Sequence, residues 1–150
     1  MRKLSSDPYA GAMRIVKPDY AAQFGLVLVR VLALSIELGR YFYAIAEVQK
    51  AADAAAVAAS AEIDALVFQR TGNLVPSSKT WTSAQRYVTA NTGNLSARGV
   101  HAFVSGITVS GGENTVSVSV SANLSILFPS VVPDVTVTRM GIAKLRAMTH

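Results

Sequence analysis

FGLVLVRVLALSIELGR, residues 24–40, is the most apolar stretch of this chain. Ten of its positions are Phe, Leu, Val or Ile, yet Arg30 sits in the middle and Glu37 near the end. A run this apolar is either the buried heart of a soluble domain or a segment that crosses a bilayer. On an insertion scale its apolar residues contribute about −3 to −6 kcal/mol in total. Arg30 near mid-helix returns about +2.5 to +3.5 kcal/mol. Insertion is therefore marginal alone, and partner helices have to help. Gln23, Arg30 and Glu37 follow one another at intervals of seven, nearly two helical turns, so a helix carries them on one face with a drift of only ~20° per step. The sequence predicts a polar stripe turned toward other helices, with Arg30 meeting a carboxylate of a neighbouring subunit. Glu37 of the same chain lies ~10 Å along the axis and pairs more easily with Arg40, at i and i+3.

Outward from this run the chain stays helical. Pro18 and Asp19 mark a helix start, with Asp19 at the positive end of the dipole. No proline follows until well past Phe68, and KAADAAAVAASAEIDAL, residues 50–66, is strong helix-forming sequence. The expectation is one helix over 19–68, about 70 Å long. Its membrane anchor would lie at about 21–39, since a bilayer's apolar core is only ~30 Å thick. Ala51, Ala52, Ala54, Ala55, Ala56, Ala58 and Ala59 permit close backbone approach as well as favouring helix. Residues 1–18 read as a polar leader. Their Arg2, Lys3, Arg14 and Lys17 place that end in the cytoplasm by the positive-inside rule. No small-x-small cleavage site follows the run, so an uncleaved anchor is expected.

RTGNLVPSSKT, residues 70–80, is a loop by its Gly, Asn, Pro and Ser. TWTSAQRYVTANTGN, residues 80–94, predicts a short helix capped by Thr82 or Ser83 and ending at the Asn91–Gly93 turn. Beyond Arg98 the period changes to two. HAFVSGITVS, GGEN and TVSVSVSANLSILF predict a β-hairpin. In its second arm Val116, Val118, Val120, Ala122, Leu124 and Ile126 face one way, while Ser117, Ser119, Ser121, Asn123 and Ser125 face solvent. DVTVTRMGIAKLRAM, residues 134–148, offers a last strand. The fold class is α+β: a long N-terminal transmembrane helix, a short helix, and a small antiparallel sheet within an extracytoplasmic domain over 69–150.

Composition agrees with a membrane or an obligate partner covering apolar surface. Half of the 150 residues are apolar and only 15% charged, against about a quarter charged in ordinary soluble domains. Mean hydropathy is +0.35. The net charge of +5 is scattered, with no basic stripe interleaved with aromatics, which argues against nucleic acid. The chain has no cysteine and two histidines, His101 and His150, in no zinc-binding spacing. No nucleophile elbow, P-loop or dinucleotide fingerprint is present. Gly111–Gly112 before Glu113–Asn114 suits a hairpin turn, and Asp53, Glu62 and Asp64 read as a solvated helix face. An enzyme, a metal or a cofactor is not expected.

The order of these parts resembles a known family. AAQFGLVLV (21–29) and IELGRYFYAIAEVQKAADAAAVAAS (36–60) are similar to the TadE/TadG-like proteins of Tad (Flp) pilus assembly. There an apolar segment leads into a (D/E)-L-G-R motif, a Q-x-A-A-D-A-A-A-like helix and a β-rich C-terminal part. Glu37–Arg40 stands as the E-L-G-R, and Gln49–Ala56 as Q-K-A-A-D-A-A-A. YVTANTG (87–93) and NTVSVSVSANLSILFPS (114–130) match the family's later segments in pattern. Gln23 stands where processed members carry a glutamate, no prepilin-type glycine precedes it, Val29 replaces a proline, and Arg30 departs from the family's clean span. The resemblance implies a pilin-like outline and a minor pilin-like or assembly subunit. It would sit in the bacterial inner membrane by a single pass, with its C-terminal domain periplasmic or extracellular. Its partners would be other pilin-like or Tad assembly subunits, reached through the N-terminal helix in a homo- or hetero-oligomer. Gln23, Arg30, Glu37 and Arg40 are the candidate partner contacts. The alternative is a soluble self-assembling subunit of shell or capsid type, with the long helix as scaffold.

Overall fold

A computed structural model describes residues 18–125 and 134–145. Residues 1–17 of the leader and Ile126 fall outside the described residues. Those described form three helices, α1 (Pro18–Ala61), α2 (Ala65–Thr71) and α3 (Thr80–Ser96), and three strands, β1 (Val100–Ser110), β2 (Thr115–Leu124) and β3 (Val135–Lys144). The architecture is α+β and pilin-like in outline: a long N-terminal helix carrying a small antiparallel sheet beside its C-terminal half.

α1 runs for 44 residues, about 66 Å. Its two halves live in different surroundings. From Ala44 onward the face made by Ala44, Val48, Ala51, Ala52, Ala55, Ala56 and Ala59 is buried, a 3–4 spacing that keeps one stripe toward the core. The alanines are therefore spent on the chain's own sheet and on α3. The closest approach is at Gly141 of β3: a Cβ built there would run into the carbonyl of Ala52 and lie 2.6 Å from the Asp53 nitrogen. Gln49 secures the same seam, donating to the Met140 carbonyl at 3.1 Å and to Asp53 Oδ1 at 2.9 Å.

The continuous helix expected over 19–68 is divided. α1 stops at Ala61 because the next residues find better partners across the chain. Ile63 bridges to Pro76, and the Asp64 amide donates to the Val75 carbonyl at 3.0 Å. Asp64 then caps α2, its carboxylate accepting from the Leu66 and Val67 amides. Gly72 ends α2 at φ 70°, its N–H returning to the Phe68 carbonyl.

α3 also differs from expectation. It starts at Thr80 with no side-chain cap; Ser83 instead donates to Glu62 Oε1 at 2.9 Å. It does not end at Asn91–Gly93. Asn91 and Thr92 bond back to the Tyr87 and Val88 carbonyls, and the helix continues far enough to bury Leu95 completely. Thr80, Ala84, Val88, Thr92 and Leu95 form its buried face.

The sheet is an antiparallel meander in the order β1-β2-β3. Val116, Val118, Val120, Ala122 and Leu124 of β2 all point into the core, as their alternation predicts. Opposite them, Val104 pairs with Val120 and Ile107 with Val118, with a bulge between Val104 and Gly106. The extra residue resets the phase of β1 so that Ile107 and Val109 face the core. Ser121, expected to face solvent, is instead buried on the outer face, where it bonds Thr138 at 2.9 Å, and Thr136 donates to Asn123 at 3.0 Å. Asn114, at φ 52°, closes the β1–β2 turn.

Candidate functional site: the apolar band and its junction with the head

Below Ala44 the environment of α1 inverts. Phe24 is 71% exposed and Val29 64%, and Leu26, Val27, Leu28, Val31, Leu32, Leu34, Ile36 and Leu38 are exposed with them. They cover the helix on every side but the strip of Gln23, Arg30 and Glu37, so no rotation of the helix hides them. The segment is long and apolar enough to cross a membrane, with a mean hydropathy of 1.8 and only 11% of its most apolar window buried. A core helix of a soluble domain passes the same length test but buries most of that surface. Aromatic side chains flank the band. Tyr20 lies at one end and Tyr41, Phe42 and Tyr43 at the other, about 33 Å apart along the axis from Tyr20 to Phe42, the spacing of two interfacial belts.

At the upper end of the band the helix meets the head through the E-L-G-R motif. Glu37 is 6% exposed and its Oε2 lies 3.1 Å from Arg40 Nη1. Arg40 Nη2 donates to the Arg98 carbonyl at 2.8 Å and to the Ser125 carbonyl at 3.4 Å. One guanidinium thus ties α1 to the ends of both α3 and β2, which a planar fork does better than a point charge. Tyr43 adds a second tie: its hydroxyl accepts from Asn94 Nδ2 at 3.1 Å, and the Arg98 guanidinium sits 5.0 Å above its ring.

The predicted partner residues therefore separate. Glu37 and Arg40 come together and face the chain's own head. Gln23 and Arg30 stand exposed within the band. Arg30 is midway between Tyr20 and Phe42, and among the described residues it has no ion-pair partner. Glu37 is ~10 Å away along the helix and engaged at the junction, as the easier i, i+3 pairing predicts. Arg98, Tyr43 and the Ser125 carbonyl had no signal in the sequence, because the contacts that gather them join segments 55 to 85 residues apart. Of the acidic residues read as a solvated face, Asp53 accepts from Gln49, Glu62 from Ser83, and Asp64 caps α2. Among the described residues no group of His, Cys, Asp and Glu is arranged to hold a metal ion.

Beside the junction lies a cavity of about 430 Å³ whose walls include Leu34, Leu38, Tyr43, Leu95, Arg98 and Leu124. Its lining is largely apolar, and among the described residues no nucleophile with an adjacent base lines it.

No family model matches the chain, and neither does any curated protein or solved structure.

Proposed function

We propose that the chain is a membrane-anchored, minor pilin-like or assembly subunit of a Tad/Flp-type pilus or secretion apparatus, acting by helix packing and not by catalysis. The observation that carries this is the inversion along α1. One helix exposes apolar side chains around most of its circumference in its first half and packs into the core of a folded head with its second. A bilayer or a bundle of similar helices is the environment that such a surface fits.

The resemblance of Glu37–Arg40 and Gln49–Ala56 to the TadE/TadG-like motifs gains a physical rationale. Glu37 and Arg40 fasten the head where the span ends, and the alanines let the sheet approach α1. The positive-inside rule puts Arg2, Lys3, Arg14 and Lys17 in the cytoplasm and the head in the periplasm. Arg30 at mid-span then needs a carboxylate from another chain. A second copy is a poor donor, since its Glu37 is buried and bound to Arg40. Unshifted parallel packing would also set Arg30 against Arg30. The expected partner is a different subunit with an acidic residue at mid-membrane depth.

Fractionation and photocrosslinking from position 30 in intact bacterial membranes test this. Detergent-dependent extraction and a crosslink to the membrane helix of a Tad-apparatus subunit are expected. Recovery in the soluble fraction without detergent would sink the membrane claim and favour the shell-type alternative. A crosslink confined to lipid would remove the partner.

A further inference from the structure

The cavity beside the junction straddles two environments. Leu34 and Leu38 form its lower wall and belong to the exposed apolar band, whereas Leu95 and Leu124 belong to the core side of the head. In a chain anchored through α1, its lower wall is continuous with the bilayer interior and its upper wall stands at headgroup level. Its volume of about 430 Å³ falls in the range of small-molecule sites, roughly 300–1,000 Å³.

The charges at the cavity are unequal. Arg40 is neutralised by Glu37 and further committed to two backbone carbonyls. Arg98 is exposed, forms no ion pair among the described residues, and is stacked on Tyr43, which Asn94 holds in turn. Among the described residues the site therefore carries one net positive charge beside an apolar slot. A guanidinium so placed is a donor fork for phosphate.

We propose that this cavity holds one phospholipid of the leaflet adjoining the head. An acyl chain lies between Leu34 and Leu38 on one side and Leu95 and Leu124 on the other. The headgroup phosphate rests on Arg98, and an anionic headgroup is preferred over a zwitterionic one. The proposal rests on the membrane-anchored reading and adds to it a ligand that seals the gap between span and head.

The test uses the full chain, extracted in mild detergent from vesicles of equimolar phosphatidylglycerol and phosphatidylcholine, with bound lipid counted by native mass spectrometry. One phosphatidylglycerol per chain is expected, preferred about fivefold over phosphatidylcholine, the gain that one basic residue near an anionic surface provides. Arg98→Gln should bring that preference to parity. Leu38→Trp should abolish retention by filling the slot while leaving the head folded, because Leu38 is 47% exposed. A benzophenone side chain at position 38 should crosslink to lipid. Equal retention by the wild type and both variants would overturn the proposal, and so would a crosslink from position 38 to the chain's own segment 126–133. If the chain floats with vesicles yet retains no lipid, the lipid site fails and the anchor stands. If it does not float at all, both fail.

Discussion

Replacing Gly141 by alanine measures how tightly the sheet is seated on α1. The new methyl group would collide with the Ala52 carbonyl and come within 2.6 Å of the Asp53 nitrogen. Both are backbone atoms inside a helix, so no side-chain rotation relieves the overlap; β3 or α1 has to move. Overpacking of a well-filled core costs about 1–3 kcal/mol and sometimes more. With rigid backbone on one side, a value of about 3 kcal/mol is expected. For a head of this size each kcal/mol lowers Tm by roughly 4–8 °C, so the midpoint should fall by roughly 12–24 °C. The assay is unfolding of the full chain in detergent micelles, followed by far-ultraviolet circular dichroism. Two other glycines serve as controls in the same series. Gly93, within α3, has nothing within 4 Å, and Gly93→Ala should stabilise by about 0.5–1 kcal/mol through helix propensity. Gly106→Ala brings a Cβ to 3.9 Å from Ser119 Cβ, an ordinary contact, and should be close to neutral. Because the obstacle at Gly141 is a carbonyl and not a methyl group, Ala52→Gly should fail to rescue Gly141→Ala. A Gly141→Ala protein within 1 kcal/mol of the wild type, or one restored by Ala52→Gly, would refute this account of the seam.

Three further outcomes are expected. Arg40→Ala removes the Glu37 ion pair and two carbonyl contacts, and should cost about 2–3 kcal/mol in denaturant unfolding, below the ~3–5 kcal/mol of a fully buried pair because Arg40 is partly exposed. Arg40→Lys should recover less than half of that, since an ammonium cannot fork. Among the described residues Thr80 Oγ1 is buried without a hydrogen-bond partner, so Thr80→Val should raise stability by about 1 kcal/mol in the same measurement. Arg30→Leu should favour membrane insertion by about 3 kcal/mol in an insertion assay and lower co-purification with partner subunits; unchanged co-purification would count against an intramembrane carboxylate.

The features legible in the sequence were those written in short-range pattern. The β2 alternation from Val116 to Leu124 gave the strand's buried face directly, and the spacing of Glu37 and Arg40 gave their pairing. The break after Ala61 left no such trace, because AEIDAL is good helix sequence. What stops the helix is Pro76 and Val75 pairing with Ile63 and Asp64 from the next loop. Asn91 and Gly93 read as a terminus, but burying Leu95 outweighs their weak helix propensity. In β1 the bulge after Val104 shifts the apolar phase by one position, which makes HAFVSGITVS look less regular than it is. The junction was half visible: the motif showed, whereas the Arg98 and Ser125 carbonyls that Arg40 holds come from distant segments.

Since α1 is unbroken from Tyr20 to Ala61, no hinge separates the head from the part of the helix below it. From Leu38 to Ala61 the helix extends about 35 Å. A tilt of roughly 10° at the base therefore displaces the far end by about 6 Å, and a pull on the head acts axially on the apolar half. Anything that reorients the exposed apolar half of α1 therefore also carries the sheet with it.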